Sequence, residues 1–391
     1  MGIRTISSRR TAGSPVLEDR PRVLHASLLP HISRGIASQL LLEKKAARDL
    51  GIPWETELFS PRSSLEPFPE PLNAGPPGLV EARGDSIRER LFTSLKLRRA
   101  FYAWLADRES EFDVILLRYS VHDRLQHRFI ERSPAFVGLV HHTLEVDELR
   151  SFGGMVGQVR SRMESRIGPS SIRSADLIVG VTDEIVQNEL ARIGDTRKPT
   201  LIYPNGGPDT VAPVADRRPG TVHLLFVAST FSSWQGVDLL LASLPSSSRE
   251  FTLHLVGELT APDALLAASD SRVVVHGPKT PQQIRDIAQT CTAGLSSLAL
   301  ERHGLRVACP LKVREYLSMG LPVVGNHEEV LPIDFPFYMQ VKPDIASILD
   351  VADSWRTVPR AEVAELALPL ISKKAILEGF YESLTCLTQK R

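Results

Sequence analysis

The sequence predicts an α/β protein made of two domains, each with a parallel sheet covered by helices on both faces. Short apolar strands alternate with helical patterns in both halves of the chain, and this alternation is typical of parallel sheets. The length of 391 residues suits two domains of ordinary size. A stretch rich in proline and charge at 207–220 predicts a linker. We therefore expect two facing Rossmann-like domains that bind ligands in the cleft between them.

The first half of the chain, residues 21–204, is predicted to form the first domain. Residues 1–20 are polar and lack periodicity, so we expect a disordered leader there. Residues 54–110 are ambiguous apart from a charged helix at 86–107. Hydrophobic periodicity predicts strands at 23–26, 112–118, 136–140, 175–181 and 199–203, and helices at 36–50 and 150–173.

The second half, residues 205–370, is predicted to form the second domain. Its strands are short and apolar, and helical patterns of ten or more residues separate most of them. These strands are predicted at 223–228, 251–257, 273–277, 293–298 and 323–324. We expect residues 371–391 to form a C-terminal helix that packs back on the first domain.

Composition argues against several classes of protein. The 46 basic and 46 acidic side chains balance, so no global field attracts nucleic acid. No apolar run approaches the roughly 20 residues that span a bilayer. Three widely spaced cysteines, Cys291, Cys309 and Cys386, are expected to be buried small residues in a reducing cytoplasm. The first strand is not followed by Gly-x-Gly-x-x-Gly, which argues against a dinucleotide oxidoreductase. The sequence has no Asp-x-Asp motif and no cluster of His, Asp and Glu at the spacing of metal ligands, so we predict no metal site.

The segment 308–325 predicts a short helix with both ends marked in the sequence. Pro310 suits the first helical position, and Gly320 suits the left-handed position after the last turn. Lys312 and Glu315 are three residues apart, so both lie on one face near the helix N-terminus. That terminus offers free N–H groups and positive potential to a phosphate. The alternative is a surface Lys–Glu pair on an ordinary amphipathic helix.

This segment resembles the donor-binding helix of retaining GT-B glycosyltransferases of the large family 4, or group 1, in the subgroup with Pro-Leu-Lys-x-x-Glu-Tyr. The resemblance implies that Glu315 holds the ribose hydroxyls of a nucleotide-sugar. It also implies that Lys312, with Pro310 and Leu311 at the helix N-terminus, holds the diphosphate. Many members have another glutamate where this chain has Val307. Members with the Pro-Leu-Lys variant often lack that glutamate, so the difference indicates this subgroup of the family.

The resemblance runs almost continuously from 205 to 324. It implies that Gly257, Gly277 and Pro278 lie at strand ends near the nucleotide. Many members carry Arg and Lys in the loop where this chain has Ser229 and Gln235. Positive charge for the diphosphate is then expected from Lys312, and from Arg302 or Arg306 in the loop before the helix.

The first half diverges more, as an acceptor-binding domain would. Gly35 matches the glycine-rich loop after the first strand, where backbone approaches the donor or acceptor closely; the alternative is a simple turn. His142 matches a strand-end histidine that contacts the donor sugar. His141 precedes it directly, so the matching residue is either His142 or its neighbour His141. Arg118 and Tyr119 end another strand on the same side, and either bind acceptor or cap the sheet.

The resemblance implies retaining transfer from a nucleotide-diphospho-sugar to a glycan or lipid-linked acceptor in bacterial polysaccharide biosynthesis. The catalytic residues would be His142, Lys312 and Glu315, with the nucleotide-sugar as co-substrate and no separate cofactor or metal. Two alternatives are a non-catalytic GT-B protein that binds nucleotide-sugar or a partner, and a nucleotide-sugar epimerase. A lipid-linked acceptor predicts weak, peripheral contact with the inner face of the cell membrane. The densest basic run of the first domain, Lys96, Arg98 and Arg99, would mediate it, unless that run is a solvated helix face.

Overall fold

The computed structural model describes residues 20–30, 34–60 and 87–389, and it contains two α/β domains. Each domain is organised around one parallel six-stranded sheet. The predicted fold class is therefore confirmed. The predicted leader lies outside the described residues up to position 19, as does most of the ambiguous region, 61–86.

The first domain has strand order β2-β1-β3-β4-β5-β6, and all neighbouring strands are parallel. Its central strands are apolar on both faces, as expected for a sheet buried under helices. The strands are β1 (Val23–Leu28), β2 (Trp54–Phe59), β3 (Val114–Arg118), β4 (Phe136–His141), β5 (Leu177–Gly180) and β6 (Thr200–Ile202). The helices are α1 (Arg34–Leu50), α2 (Ile87–Arg108), α3 (Arg124–Arg132), α4 (Glu145–Ser151), α5 (Gly154–Ser174) and α6 (Asp183–Ile193).

Three elements of this domain differ from the prediction. Strand β2 lies in the region that was ambiguous in sequence, and α3 was not predicted. The single helix predicted at 150–173 is divided into α4 and α5. The division falls at Gly153 and Gly154, which have φ of 71° and 62°. A helix cannot continue through two consecutive left-handed residues, so the chain turns between α4 and α5.

The second domain has strand order β14-β12-β10-β7-β8-β9, and β11 pairs with β13 in a separate two-stranded ladder. The strands are β7 (Val222–Thr230), β8 (Phe251–Glu258), β9 (Val273–Gly277), β10 (Ala293–Leu295), β11 (Val307–Ala308), β12 (Val323–Gly325), β13 (Glu328–Glu329) and β14 (Tyr338–Gln340). Its helices are α7 (Val237–Ser243), α8 (Ala261–Ala268), α9 (Pro281–Ala288), α10 (Leu311–Ser318), α11 (Ile345–Ser354) and α12 (Arg360–Ile371), and the last helix of the chain, α13 (Lys373–Thr388), follows them.

The chain crosses between the domains twice, and the two crossings lie side by side. Gly207 forms a parallel bridge to Ser372. A Cβ atom on Gly206 would lie 2.7 Å from the backbone of Lys373, so this close approach requires glycine. After the second crossing, α13 packs in one apolar cluster with the first domain, and Leu377 and Phe380 belong to that cluster.

Two further sequence expectations can be compared with the structure. In the part of the chain that the structure describes, no helix is long and apolar enough to cross a bilayer. Cys291 and Cys309 are buried as expected, but Cys386 is exposed on α13. The expectation of three buried cysteines was wrong for Cys386, because it lies on the outer face of the last helix.

Candidate functional site

The cleft between the domains holds a cavity of about 610 Å³ lined by residues of both. The first domain contributes His142 and Thr143, and the second contributes Trp234, Arg302 and Pro310. A second cavity of about 130 Å³ lies against the first domain and also contains His142. Leu311, the first residue of α10, closes this smaller cavity from the other side. His142 and the N-terminus of α10 therefore border the same space.

Helix α10 begins one residue later than predicted. Pro310 has φ −70° and ψ 140°, so it precedes the helix, and Leu311 is the first helical residue. The expectation that Pro310 occupies the first helical position was wrong, because its ψ is that of an extended residue. Gly320 ends the helix with φ 79°, in the left-handed conformation predicted for it. Pro310, Leu311 and the free N–H groups of the first turn face the cleft.

Alternate faces of α10 have separate functions. Arg314 is buried and forms an ion pair with Glu329 at 2.7 Å. The hydroxyl of Tyr316 accepts a hydrogen bond from the backbone N–H of Val227 at 2.9 Å, which ties the helix to β7. Glu315 is exposed. The buried face therefore anchors the helix, and Glu315 remains accessible to a ligand.

Lys312 is held by an amide and not by a carboxylate. Its Nζ atom donates a hydrogen bond to Oε1 of Gln235 at 2.6 Å and lies 5.0 Å from the ring centroid of Phe226. Burial lowers the pKa of Lys312 to about 7, although Glu315 opposes this shift. Partial loss of hydration beside the neighbouring protein atoms also raises the pKa of Glu315, although its side chain is exposed, and Lys312 opposes that shift in turn. The structure therefore differs from a simple surface Lys–Glu pair, since Lys312 bonds to Gln235.

The other predicted donor-side residues lie at the carboxyl ends of three adjacent strands. Ser229 is exposed near the end of β7. Gly257 is the second-last residue of β8 and has φ 131°, and a Cβ atom there would lie 1.7 Å from the carbonyl oxygen of Ala228. Gly277 ends β9 with φ 66°, and Pro278 follows it. The structure thus brings these residues to one sheet edge, the edge at which α/β sheets bind ligands.

The two adjacent histidines at the end of β4 have different environments. His141 is fully buried, lies 2.9 Å from Glu145 through Nδ1, and stacks on Tyr119 with ring centroids 4.3 Å apart. His142 borders both cavities, and its buried Nε2 atom has no hydrogen-bond partner among the described residues. Burial and then Arg118 hold the pKa of His142 well below its usual range. His142 is therefore the neutral histidine that faces the cleft.

His141 belongs to a buried ion-pair network that the sequence did not indicate. His141, Glu145 and Glu189 lie within metal-ligand distance of one another. Arg192 already supplies a cation to this group, since its guanidinium lies 2.7 Å from Glu189 and 2.7 Å from Glu164. We interpret the group as an ion-pair network that joins α4, α5 and α6 behind β4.

The two predicted acceptor residues have different positions. Arg118 borders the smaller cavity, and burial lowers its pKa to about 10. Tyr119 donates a short hydrogen bond to Glu164, so its hydroxyl is already engaged. Tyr119 does not border either cavity described above. The structure therefore favours the alternative in which Tyr119 caps the sheet.

The two arginines of the loop before α10 also differ. Arg302 borders the large cavity, but its guanidinium forms two hydrogen bonds with Asp238 at 2.9 and 3.0 Å. The side chain of Arg306 forms an ion pair with Glu328 and does not border that cavity. The structure does not support a donor contact from the Arg306 side chain, because its cation is directed to Glu328.

Several residues at the domain interface or beside the cavities had no predicted role. Glu184 of the first domain accepts hydrogen bonds from the backbone N–H groups of Arg306 and Val307 at 2.9 and 2.8 Å, which joins the two domains. His25 and Ser27 face the smaller cavity from β1. The signal for these two was two polar residues, two positions apart, in an otherwise apolar strand. Gly35 borders the same cavity, and its own missing side chain leaves room for Leu311.

Comparison with known proteins supports this arrangement. Residues 221–331 match the family model described as glycosyl transferases group 1. The apo form of the lipopolysaccharide outer core galactosyltransferase WaaB is similar in structure, with a TM-score of 0.62, 13% identity, and coverage of 94% of this chain and 99% of that one. Anabaena HepE in complex with UDP and glucose has a TM-score of 0.57 and 14% identity over 93% of this chain and 99% of that one.

A third similar structure is α,α-trehalose 6-phosphate synthase from Burkholderia multivorans, with a TM-score of 0.56 and 13% identity over 95% of this chain and 97% of that one. At such identities, the three structures establish the fold alone, which is the two-domain GT-B arrangement expected from the sequence. Comparison with curated protein sequences gives no match.

Proposed function

We propose that this chain, a group 1 glycosyltransferase of the GT-B fold that uses a nucleotide-sugar, transfers the sugar with retention of anomeric configuration. The observation that carries the proposal is the position of His142 of the first domain beside the N-terminus of α10 of the second. A donor bound there would have its diphosphate on the helix and its sugar near the histidine. HepE, one of the similar structures, was solved with UDP and glucose, which favours a nucleoside diphosphate at this edge.

Each proposed catalytic residue has a distinct task. Lys312 and the N–H groups of α10 would stabilise the charge that develops on the leaving diphosphate. Glu315 would accept hydrogen bonds from the ribose hydroxyls and so position the anomeric carbon. The free Nε2 of His142 would form a hydrogen bond with a hydroxyl of the donor sugar. The tautomer of a neutral histidine determines whether that atom donates or accepts.

Retention is compatible with the acidic groups in the cleft. Among the described residues that border the large cavity, Glu148 is the one carboxylate. Double displacement generally uses two carboxylates on the two sides of the reacting carbon. We therefore favour same-face transfer in which the leaving phosphate assists the incoming hydroxyl. The acceptor is proposed to be a glycan or a lipid-linked glycan of bacterial polysaccharide biosynthesis.

Contact with a membrane would suit a lipid-linked acceptor. The basic run proposed from the sequence is partly engaged, because Arg98 donates to the carbonyls of Val121 and His122. A second surface suits a membrane better. We define the α5 surface as the exposed apolar residues Phe152, Met155, Val156, Val159 and Met163 with the exposed Arg150, Arg160, Arg162 and Arg166. No acidic residue is exposed between positions 150 and 170, so this surface favours anionic lipid.

A panel of nucleotide-sugars tests the function. Slow hydrolysis of one donor, with release of free nucleoside diphosphate, is expected for the wild type and is expected to be lost in Glu315→Gln. Binding of a donor without release of nucleoside diphosphate would support the non-catalytic alternative. Ser229 and Gln235, which stand where the resembled family often has cations, are the reason to test that alternative. Conversion of the sugar to an epimer without release would support the epimerase.

A further inference from the structure

The smaller cavity of the first domain has an unusual polar lining. We call it the polar chamber and define it by His25, Arg118, His142 and Lys373, which border a volume of about 130 Å³. Arg118 ends β3, His142 follows β4, and Lys373 begins α13, whereas His25 lies within β1. Glu43 borders the chamber as well, so the charge balance of these five residues determines what the chamber can hold.

Glu43 is saturated with hydrogen-bond donors. Its carboxylate lies 2.7 Å from Nδ1 of His25 and accepts from Trp54, Thr56 and Tyr203 at 3.0, 2.8 and 2.8 Å. Burial alone would raise the pKa of Glu43, but His25, Lys373 and these hydrogen bonds outweigh it and hold the pKa well below its usual value. Nδ1 of His25 therefore carries a proton directed at Glu43, and the opposite nitrogen, Nε2, is free for another partner.

Two ring nitrogens of the polar chamber have no partner. Nε2 of His25 and Nε2 of His142 are both buried without a hydrogen bond to any described residue. Unpaired buried polar atoms are uncommon in proteins and need an explanation. Because both histidines border the same small volume, one ligand that can both donate and accept, such as a phosphate that keeps one P–OH group, can satisfy both.

The chamber also has one more cation than anion. Lys373 lies 3.6 Å from Glu43, so these two charges offset each other. The guanidinium of Arg118 forms no ion pair within 4 Å in the described part of the chain, and Glu145 and Glu148 act on it only through longer-range electrostatics. Arg118 is half-buried, and a partly desolvated cation without an ion-pair partner favours a nearby anion. The charge balance of the chamber therefore favours an anionic ligand.

We propose that the polar chamber binds a phosphoryl group of the acceptor, as a phosphate or diphosphate ester, with Arg118 as its counter-ion. The size agrees, because a water molecule occupies about 30 Å³ of liquid and the chamber holds only a compact group. The position agrees too, since His142 and Asn205 border both the chamber and the large cavity. An ester anchored in the chamber would extend the rest of the acceptor towards the donor sugar. The anion site itself is independent of the proposed function. Only the identification of its ligand as the acceptor of the sugar rests on that function.

Binding of inorganic phosphate and pyrophosphate to the whole protein tests the site without any donor or turnover. Calorimetry is expected to give saturable binding that Arg118→Gln weakens by at least tenfold. Arg99→Gln, which alters an exposed arginine of the same domain, is expected to leave it within twofold. Lys312→Ala is expected to remove any binding at the proposed donor seat while the binding that depends on Arg118 persists. If Arg118→Gln does not fold, Arg118→Lys takes its place in the test. This variant keeps the positive charge and is expected to retain part of the affinity for phosphate.

The outcomes separate the possibilities. Loss of phosphate binding in Lys312→Ala but not in Arg118→Gln would assign the anion to the donor seat and overturn the proposal, as would no binding at all. Two further probes, a hexose phosphate and a short polyprenyl diphosphate, separate the sources of the phosphoryl group. The probe whose affinity falls more in Arg118→Gln identifies the source of the phosphoryl group. If wild type and Arg118→Gln bind each of the two probes with equal affinity, the proposal is overturned. Failure here would leave hydrolysis of the donor unaffected.

Discussion

The Nζ atom of Lys312 lies 2.6 Å from Oε1 of Gln235, and this hydrogen bond joins α10 to the turn after β7. The family that this chain resembles often has a cation where this chain has Gln235. The amide does not add positive charge, but it fixes the position of the ammonium. Gln235 is itself held, since it is buried and its carbonyl accepts from the backbone N–H of Leu298. The cleft is therefore expected to rely on one well-positioned lysine.

Lys312→Ala is expected to weaken the binding of a nucleoside diphosphate by at least about tenfold. A charge-assisted hydrogen bond contributes about 1.5–3 kcal/mol, and the remaining helix dipole contributes about 0.3–1 kcal/mol, or up to about 2 when partly buried. Binding of the free nucleoside should hardly change, because it lacks the diphosphate. Calorimetry with both ligands measures this, with Lys342→Ala, an exposed lysine of the same domain, as the control. Equal losses for both ligands would mean that Lys312 is structural.

Binding of the nucleoside diphosphate is expected to weaken as the pH rises above 7. Burial lowers the pKa of Lys312 to about 7 in the free protein, so the amine is mostly neutral at pH 8 to 9. An anionic ligand favours the protonated form and raises that pKa, so binding takes up a proton in this range. The affinity should fall by about tenfold per pH unit until the pKa of the complex is reached. Calorimetry in buffers of different ionisation enthalpy detects the uptake. A proton uptake that persists in Lys312→Gln would assign it elsewhere.

Glu315→Ala is expected to abolish transfer without unfolding the protein. The side chain is exposed on α10, so the packing of the helix does not depend on it. Loss of a charged hydrogen-bond partner should cost about 2–4 kcal/mol of transition-state stabilisation, or about 30- to 1000-fold in rate. Turnover and thermal melting are measured together, with Glu362→Ala on α12 as the control. Wild-type turnover in Glu315→Ala would refute the assignment of Glu315 to the ribose.

Gly257→Ala is expected to destabilise the second domain. Gly257 has φ 131°, and a Cβ atom would overlap the carbonyl oxygen of Ala228 at 1.7 Å. Such strain costs about 1–3 kcal/mol or more, and roughly 2–4 °C in melting temperature per kcal/mol for domains of this size. The control is Gly379→Ala on α13, where no atom lies within 4 Å of the new Cβ and helix propensity favours alanine by about 0.5–1 kcal/mol. Equal melting of both variants would contradict the strain.

The α5 surface is expected to give weak binding to anionic vesicles that salt reverses. Each arginine near an anionic surface contributes about 1 kcal/mol at low salt. Replacement of Phe152, Met155 and Val156 by serine should reduce co-sedimentation, and Leu366→Ser, an exposed leucine of α12, should not. Binding that survives high salt would instead point to an apolar anchor outside this surface.

The sequence was sufficient for the local structure and the order of the elements. Gly320 was expected in the left-handed conformation and has φ 79°, because a helix that stops before proline needs such a residue. The alternation of short apolar strands and helices likewise predicted two parallel sheets, since strands buried on both faces lose their polar positions. Strand β2 was not predicted because three consecutive polar residues, Glu55, Thr56 and Glu57, interrupt its apolar residues next to a proline-rich stretch.

Only the tertiary structure decided which side chains meet. Neighbours in sequence, His141 and His142, point into an ion-pair network and into the cleft respectively, and local periodicity cannot distinguish them because it does not encode what packs behind β4. Arg306 was an expected donor contact, yet its guanidinium is held by Glu328, 22 residues away. The polar chamber is assembled from residues as distant as His25 and Lys373. Local sequence thus determines the helices and strands, because turn residues, caps and hydrophobic periodicity act over a few residues. Charge pairing across the cleft depends instead on how the two domains pack.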